Sequence, residues 1–403
     1  MTLVSTARLS RTMSLIEPSG TISLFARARE MAANGRDIIS LAVGELDYHS
    51  PAEACTAGKQ AIDNGFTRYT ISSGTHELRQ ALANKLKAEN DLSYSADEIL
   101  VSNGSKQAAW NILKAICNPG DEVIFFAPYY PSYPSMVHLV GATPVVVGTS
   151  VDDGYQLDQS RLQEAITPRT RIIIANSPRN PTGTLFNHES WSAIAKTATD
   201  HDLWIISDEI YERIVFPPAQ HLSPAQIIPD LLDRTVVVNG FSKNYAMTGW
   251  RVGYAAGPRH LIDAAALIQS HVTNNACSVS QKAALAALKL SEDFIGPVVN
   301  TLQSNRDSTI ESLLQVEGLK LAIPQGAFFV FCDISQLLGR TGAGKKISTS
   351  AELSEYLLLE HGVACPAGSA FGDDGAIRIS FAPDPETIKE GCRRIVAGLM
   401  QLT

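Results

Sequence analysis

The chain contains 403 residues, with a formal net charge of −8 and 45% hydrophobic residues. This length predicts two or three domains with a sizeable core, and the modest charged fraction of 18% excludes wholesale disorder. An acidic chain without blocks of Lys or Arg is a poor candidate for binding nucleic acid or an anionic membrane. Its apolar runs are shorter than the ~20 residues that a membrane-spanning helix needs.

The cysteines also limit the class of protein. The six cysteines are scattered and form no C-x-x-C pair, so the sequence encodes neither a disulfide framework nor a zinc site. Residues 1–20 lack the apolar core and cleavage signal of a secretory peptide. We therefore expect a cytoplasmic protein without a bound metal ion.

Short β-rich runs alternate with helical patterns through the middle of the chain. Predicted strands cover residues 98–102, 122–127, 144–148, 171–175, 203–207 and 235–239. Predicted helices between them cover residues 107–116, 159–166 and 190–199. Several strands are almost entirely apolar, as is typical of strands covered on both faces. The alternation predicts an α/β fold with a mostly parallel sheet flanked by helices.

The pattern changes after about residue 291. A long amphipathic stretch covers residues 298–314, and shorter strand and helix signals follow. We interpret residues 47–291 as a large domain, and residues 1–46 with 292–403 as a smaller α+β domain. Residues 339–350 are rich in Gly, Lys, Ser and Thr, which predicts a surface loop.

Polar clusters follow four of the predicted strands, at residues 103–106, 176–183, 208–211 and 240–243. In an open parallel sheet, ligands bind in the crevice outside the carboxyl ends of the strands. If the strands run parallel, one crevice gathers a lysine, a carboxylate, a phenol, an amide and a helix N-terminus.

That set of groups matches the needs of pyridoxal phosphate. A lysine amine forms an imine with its aldehyde, and a carboxylate opposite the pyridine nitrogen keeps the ring protonated and electron-accepting. A helix N-terminus behind a glycine offers backbone N–H groups to a phosphate. A phenol and an amide can donate hydrogen bonds to the ring oxygen.

With these residues in place, the chain closely resembles the class I aminotransferases of the fold type I pyridoxal-phosphate enzymes, especially the aspartate/aromatic branch. The resemblance runs from about Pro18 to the C-terminus. Its landmarks occur in family order: Val43-Gly44-Glu45-Leu46-Asp47, Tyr69-Thr70 with Gly74 and Leu78-Arg79, Asn103-Gly104-Ser105-Lys106-Gln107, Pro128-Tyr129-Tyr130, Asn180-Pro181-Thr182-Gly183, Ser207-Asp208-Glu209-Ile210-Tyr211, Ser242-Lys243, Gly249-Trp250-Arg251-Val252-Gly253, Gly326-Ala327-Phe328 and Arg378-Ile379-Ser380-Phe381.

The resemblance implies roles around the cofactor ring. Lys243 would be the imine lysine, and Asp208 would pair with the pyridine nitrogen. Tyr211 and Asn180 would bond the ring oxygen, and Tyr130 would stack on the ring where many relatives carry tryptophan. The alternatives are a solvated lysine, a helix-capping aspartate and a turn-forming asparagine.

At the phosphate, the resemblance implies a bidentate contact from Arg251, against the alternative of a surface ion pair. The other implied cofactor ligands on the same subunit are Gly104, Ser105, Lys106 and Ser242. Gly240 stands where another branch of the family has a phosphate-binding serine. Tyr69 matches a tyrosine that reaches the phosphate of the neighbouring subunit, which implies a homodimer with shared active sites; the alternative is a core tyrosine.

For the substrate, the resemblance implies that Arg378 clamps the α-carboxylate through its planar guanidinium. The backbone at Gly44 would assist, because glycine permits close approach. Thr21 and Lys106 match positions that this branch uses for an acidic side chain, which favours aspartate as donor and a 2-oxo acid such as 2-oxoglutarate as acceptor. Alternatives left open are a helix-start role for Lys106, an aromatic or other neutral amino acid as donor, and a β-lyase or oxidase on the same cofactor.

The resemblance implies a ping-pong transfer in which the freed amine of Lys243 moves the substrate proton. That role requires a lowered pKa of Lys243, and the nearby cations Arg251 and Lys106 act to lower it.

A rival motif lies in the C-terminal part of the chain. Residues 339–346 nearly spell a nucleotide-binding P-loop, but Lys346 stands where Ser or Thr would hold Mg²⁺. A P-loop also joins a strand to a helix, whereas this segment is predicted to be a loop. The sequence therefore disfavours an NTPase.

Overall fold

The computed structural model describes residues 9–290 and 294–403. The strands are β1 (Ile39–Ser40), β2 (Ile99–Ser102), β3 (Glu122–Ala127), β4 (Thr143–Gly148), β5 (Thr170–Asn176), β6 (Trp204–Asp208), β7 (Thr235–Gly240), β8 (Gly253–Ala256), β9 (Lys320–Leu321), β10 (Phe329–Asp333), β11 (Thr341–Gly342), β12 (Lys345–Lys346), β13 (Val363–Ala364) and β14 (Ala376–Ser380). The helices are α1 (Gly20–Ala33), α2 (Ala52–Asp63), α3 (His76–Asn90), α4 (Ser105–Ile116), α5 (Ser132–Val140), α6 (Gln159–Glu164), α7 (His188–Asp200), α8 (Pro224–Ile227), α9 (Phe241–Asn244), α10 (Arg259–Val272), α11 (Ser278–Ala287), α12 (Ile295–Leu313), α13 (Ser350–His361) and α14 (Pro385–Met400).

A seven-stranded sheet in the order β2-β8-β7-β6-β5-β3-β4 forms the centre of the protein. β8 runs antiparallel to both of its neighbours, whereas the pairs from β7 to β4 are all parallel. Every strand except β8 therefore points the same way, and their carboxyl ends meet at one edge. The predicted mostly parallel α/β sheet is confirmed, with strand and helix bounds that differ from the predicted ones by a few residues.

The apolar runs of the central strands serve both faces of this sheet. In β5, Ile172 and Ile174 pack into a cluster with α4, α5 and α10, whereas Ile173 between them packs with α7 on the other face. Successive side chains of a strand point to opposite faces, so a strand covered on both sides needs a continuous apolar run. This burial holds the strand ends, and the loops that follow them, in a fixed arrangement.

The first and last parts of the chain pack together. β1 pairs in parallel with β13, and Leu41 joins a buried cluster with residues of β10, α13 and α14. A three-stranded antiparallel sheet, β14-β10-β9, lies in this part of the chain. The division into domains of residues 47–291 and of residues 1–46 with 292–403 stays a prediction, and residues 291–293 at its boundary lie outside the described part of the chain.

The segment predicted as a loop at residues 339–350 contains a hairpin of β11 and β12, so the loop prediction is wrong at these two short strands. Ala343 and Gly344 form the turn with φ of 49° and 75°, the left-handed conformation that tight hairpin turns require. The P-loop-like residues therefore do not join a strand to a helix. No helix within the described residues is both long and apolar enough to cross a membrane.

Candidate active site

A cavity of about 300 Å³ opens at the carboxyl edge of the central sheet. The sequence-predicted residues that line it are Thr21, Gly44, Ser105, Lys106, Tyr130, Asn180, Asp208, Tyr211, Lys243 and Arg378. Four other predicted residues, Gly104, Ser242, Arg251 and Tyr69, are not among its lining residues.

Lys243 enters this cavity from α9, the short helix that directly follows β7. Its Nζ donates a hydrogen bond to the carbonyl oxygen of Gly44. Burial lowers the pKa of Lys243 to about 8; Glu45 opposes this change, and the cations Arg251, Arg378 and Lys106 add to it. Desolvation, more than the neighbouring cations, therefore gives the amine a substantial neutral fraction near pH 8.

Asp208 lies at the end of β6, and two hydrogen bonds fix the orientation of its carboxylate. The Tyr133 hydroxyl donates to Oδ2 at 2.6 Å, and the Ile210 backbone N–H donates to Oδ1 at 3.4 Å. Burial raises the pKa of Asp208 to about 6, and the Tyr133 hydrogen bond acts in the opposite direction. The carboxylate is thus ionised at neutral pH, with its outward face towards the cavity.

Tyr133 is a site residue that the sequence reasoning missed. It lies in the first turn of α5, is buried, and also lines the cavity. The signal was the run of tyrosines that begins with the Pro128-Tyr129-Tyr130 landmark, but no resemblance assigned a role to the third one. Its hydroxyl orients the carboxylate whose role the sequence did predict.

Arg378, in β14, is a buried cation on the opposite wall, 3% exposed. It donates from Nη1 to Asn180 Oδ1 at 3.1 Å and from Nη2 to the Ala42 carbonyl at 2.5 Å. Its guanidinium lies over the rings of Phe329 and Phe371, at 4.3 and 4.9 Å from their centroids. Nε has no hydrogen-bond partner, and within residues 9–290 and 294–403 no carboxylate pairs with this side chain.

That unpaired cation is the clearest sign of a ligand. Burial lowers the pKa of Arg378 to about 10, so the guanidinium remains charged at neutral pH. A buried charge without a counter-ion is strongly unfavourable. The site therefore has room and charge for a carboxylate.

Tyr211 is buried beside Arg378, with its ring edge-on to Phe328 and Phe329. Burial raises the pKa of Tyr211, while Arg378 and a hydrogen bond from Asn180 lower it. The phenol thus stays protonated and can donate a hydrogen bond.

An anion cradle adjoins the cavity at the N-terminus of α4. Gly104 precedes this helix with φ of 83°, and a Cβ at Gly104 would lie 2.5 Å from Nη2 of Arg251. A Cβ at Gly253 would clash with the backbone nitrogen of Ser105. These two glycines let the guanidinium, the helix N-terminus and β8 approach closely, which is the arrangement that binds phosphate.

The other predicted residues of this end are placed as follows. The Lys106 Nζ lies 5.6 Å from the centroid of the Tyr130 ring, and Ser242 is buried. Tyr69 is 85% exposed, which excludes the alternative of a core tyrosine and places the side chain outside its own subunit's cavity.

A buried network of hydrogen bonds and ion pairs stabilises the loop that carries Asp208 and Tyr211. Glu209 accepts hydrogen bonds from Ser207 at 2.7 Å and Ser223 at 2.6 Å, and it contacts His221 at 3.1 Å. Glu212 is paired with Lys85. Protein groups thus already satisfy these carboxylates, so we interpret the cluster as a support for the loop.

Comparison with known proteins agrees with this geometry. Residues 36–395 match the model of the family "aminotransferase class I and II". The chain belongs to this family. Over 393 residues the aminotransferase is 45% identical to the aspartate/prephenate aminotransferase of Cereibacter sphaeroides, a match that covers 97% of this chain and 98% of the relative.

Solved structures extend the likeness to the fold. The crystal structure of the aspartate aminotransferase from Rhizobium meliloti matches with a TM-score of 0.94 at 39% identity, covering 98% of this chain and 100% of that one. The aspartate aminotransferase of Thermus thermophilus with maleate matches with a TM-score of 0.90 at 38% identity, covering 96% and 99%. The predicted family and the fold type I architecture of this aminotransferase are therefore confirmed.

The family implies pyridoxal phosphate, and the residues of this aminotransferase fit it. The donor set combines a lysine of lowered pKa, an ionised buried carboxylate and an anion cradle formed around two close-packed glycines. The buried Nε of Arg378 still lacks a partner.

Proposed function

We propose that this aminotransferase uses pyridoxal 5'-phosphate to transfer the amino group of L-aspartate to a 2-oxo acid such as 2-oxoglutarate in a ping-pong reaction. The observation that carries the proposal is the pair of anion-binding positions in one cavity. Buried, unpaired Arg378 lies on one wall, and Lys106 with Thr21 lines the same cavity. Two carboxylates on a short substrate match these two positions.

The cofactor would be held along the carboxyl edge of the sheet. Lys243 would bond the aldehyde carbon, Asp208 would face the pyridine nitrogen, and Tyr130 would stack on the ring. Tyr211 and Asn180 would donate to the ring oxygen. The phosphate would be held by Arg251, Ser105, Lys106, Ser242 and the backbone at Gly104. When bound, pyridoxal phosphate supplies a carbonyl carbon for the amine and a ring that accepts electrons.

The protein's own groups then handle protons and orientation. Once the substrate amine has displaced Lys243 from the aldehyde carbon, the freed amine of Lys243 would take the proton from the substrate α-carbon and return one. Its pKa of about 8 in the cofactor-free protein suits this role, since a general base works best near the operating pH. Asp208 keeps a proton on the pyridine nitrogen, and Tyr133 fixes the direction of the Asp208 carboxylate. Arg378 and Asn180, already joined at 3.1 Å, orient the substrate α-carboxylate, with the backbone at Gly44 beside it.

The preference for an acidic donor is supported by the charge of the cavity and by relatives. The proteins of Cereibacter sphaeroides and Rhizobium meliloti described above are named for aspartate, and the Thermus thermophilus structure is with maleate, a four-carbon dicarboxylate. The name of the Cereibacter protein also includes prephenate, which makes prephenate a second acceptor worth assaying.

The decisive experiment measures turnover of aspartate, phenylalanine, alanine and methionine with 2-oxoglutarate. We expect aspartate to be the best donor and oxo acid to form without release of ammonia or hydrogen peroxide. Undetectable aspartate turnover would favour the neutral-donor alternative, and ammonia or peroxide in step with oxo acid would favour a lyase or an oxidase.

A variant pair locates the acidic preference. With saturating pyridoxal phosphate, Lys106→Met should raise the KM for aspartate more than that for phenylalanine, because both donors are affected by the lost phosphate contact, whereas only aspartate also loses a cation at its side-chain carboxylate. Lys114→Met is the matched control, since Lys114 is exposed at the far end of the same helix and does not line the cavity. Equal changes in the KM of both donors would contradict the assigned role of Lys106.

We also propose a homodimer in which Tyr69 reaches the cofactor phosphate of the partner, supported by the 85% exposure of this aromatic side chain. A cytoplasmic location is supported by the six cysteines, all of which are free thiols. Sedimentation of the purified protein and fractionation of its source cells test these two proposals.

A further inference from the structure

Arg179 is a second buried arginine near the cavity. It lies in the loop after β5, one residue before Asn180, and is 2% exposed. Its guanidinium lies over the ring of Phe186, 4.9 Å from the centroid. It does not line the cavity, so it does not contact a ligand bound there.

The guanidinium of Arg179 joins the carboxyl ends of neighbouring strands. Nη1 donates to the Tyr155 carbonyl at 2.5 Å. Nη2 approaches the carbonyls of Phe126 at 3.5 Å and Pro128 at 3.3 Å, and the Thr149 hydroxyl at 3.3 Å. Phe126 and Pro128 mark the end of β3, and Thr149 directly follows β4. Because the sheet order is β5-β3-β4, one side chain links three adjacent strand ends.

The acceptors are all neutral oxygens. Within the described residues no carboxylate forms a salt bridge with Arg179, and burial lowers the pKa of the guanidinium to about 10, which leaves it charged at neutral pH. A buried cation with only neutral partners is an unfavourable way to stabilise a fold. Its place beside the cavity therefore suggests a role other than general stability.

Each segment that Arg179 contacts is connected to a residue of the candidate active site. Asn180, the next residue along the chain, bonds Arg378. Pro128 stands two residues before Tyr130. Tyr155 packs against Phe331 with ring centroids 6.3 Å apart, and Phe331 is the strand partner of Arg378.

We propose that Arg179 is a positioning residue. It holds Asn180, Tyr130 and, through Tyr155 and Phe331, Arg378 in the relative arrangement that the cofactor and the substrate carboxylate require. The planar guanidinium holds its donors in a fixed fork and reaches four acceptors from two nitrogens, whereas an ammonium has three donors on a single nitrogen. This inference rests on the proposed function, because its readouts are cofactor and substrate binding.

The test compares Arg179→Lys with Arg394→Lys as a matched control. Arg394 also donates to two backbone carbonyls, those of Asp37 at 3.1 Å and Gly362 at 3.3 Å. Unlike Arg179 it also pairs with the carboxylates of Asp37 and Glu390, and it lies in α14 and does not line the cavity. Two readouts are the kinetics with aspartate and the pH titration of the absorbance of pyridoxal phosphate bound to Lys243. Circular dichroism and thermal unfolding report whether each variant folds.

For folded Arg179→Lys we expect kcat/KM for aspartate to fall about 100-fold, the size of effect that a misplacement near 1 Å produces. The absorbance titration should move to higher pH, because a displaced Asn180 no longer donates to the ring oxygen. Arg394→Lys should change neither readout, whatever it does to the unfolding temperature. Wild-type kinetics and titration in folded Arg179→Lys would overturn the inference.

If Arg179→Lys does not fold, Thr149→Val provides the test, because it removes one acceptor and retains the arginine. We expect a smaller shift of the titration in the same direction, and a folded Thr149→Val with the wild-type titration would overturn the inference. The failure of the proposed function is distinguishable, since wild-type protein would then show no absorbance band on addition of pyridoxal phosphate. A band in the wild type with an unaltered Arg179→Lys titration refutes the inference alone.

Discussion

Replacing Tyr133 with phenylalanine would remove the hydroxyl that donates to Asp208 Oδ2 at 2.6 Å. The ring itself would keep its packing, since Tyr133 is buried next to Phe125, with ring centroids 5.9 Å apart. The change therefore isolates one hydrogen bond to the carboxylate that we propose holds the pyridine proton.

The magnitude follows from the charge on the acceptor. A hydrogen bond to an ionised group contributes about 1.5–3 kcal/mol, and a pKa unit corresponds to about 1.4 kcal/mol. Loss of the bond should thus raise the pKa of Asp208 by about 1–2 units. Starting from about 6 in the wild-type protein, the carboxyl would titrate at or slightly above neutral pH.

The assay is the dissociation constant of pyridoxal phosphate for cofactor-free protein, measured across pH 5 to 9. In the proposed arrangement the ionised carboxylate of Asp208 faces the pyridine nitrogen, so the affinity should fall as pH drops through the Asp208 pKa. The midpoint should lie about 1–2 units higher in Tyr133→Phe than in the wild type. Titration of the free cofactor affects all the proteins equally and cancels in the comparison.

Tyr129→Phe is the matched control, because Tyr129 packs edge-on against the same Phe125 ring at 5.0 Å and makes no hydrogen bond to Asp208. A midpoint that is the same in Tyr133→Phe, Tyr129→Phe and the wild type would refute the reasoning.

The pH dependence of the free energy of unfolding gives a second check. The folded-state pKa of Asp208 lies above the unfolded value, so its contribution to stability is lost as pH rises from about 4 to about 6. In Tyr133→Phe this loss should extend to higher pH.

Three further predictions concern the cations and the subunit contact. Arg378→Lys should raise the KM for aspartate at least about tenfold, since a bidentate pair becomes a point charge, while the absorbance of bound cofactor stays unchanged; steady-state kinetics and spectra of one preparation check both. Lys243→Met, without cofactor, should be more stable than the wild type below pH 8, and urea unfolding should show this difference shrinking by about 3 kcal/mol as pH rises from 8 to 10.5. The sign follows because the depressed pKa of Lys243 makes its charged form unfavourable only in the folded state, and a constant difference would contradict the burial of the amine. We expect Lys243→Ala and Tyr69→Ala each to have little activity alone, and mixing them in equal amounts should restore about a quarter of wild-type activity, because half of the sites in half of the dimers would be intact. No recovery after confirmed subunit exchange would count against a shared site.

The sequence was sufficient to predict the central sheet, because its strands carry their own physical signature. Unbroken apolar runs such as 171–175 can be buried on both faces only in a covered parallel sheet. β8 was not predicted, because Gly253–Ala256 contains glycine and alanine, which have low strand propensity. Its formation depends on the close approach of Gly253 to the α4 N-terminus, a tertiary contact that no local pattern reveals.

The site was predictable where a polar residue directly follows a strand, as Asp208 and Lys243 do. Tyr133 and Arg179 were not predicted, because each acts on another site residue through packing that brings distant segments together. The prediction that neighbouring cations lower the pKa of Lys243 was correct in direction, but burial is the largest cause. Burial of a side chain at the end of a strand depends on the elements that cover it, which the chain supplies far away in sequence.

The accumulation of positive charge around the cavity has a consequence for how substrates arrive. Lys106, Lys243, Arg251 and Arg378 form no salt bridges within residues 9–290 and 294–403, on a chain whose overall net charge is −8. Such a local reversal of sign attracts dianions over roughly a Debye length, about 8 Å at physiological ionic strength. The acidic remainder of the surface repels the same molecules. The cofactor would neutralise part of the positive charge, so in the loaded enzyme the attraction of a dicarboxylate depends mainly on Arg378 and should weaken as salt is added, while encounters with uncharged-side-chain amino acids such as alanine change little.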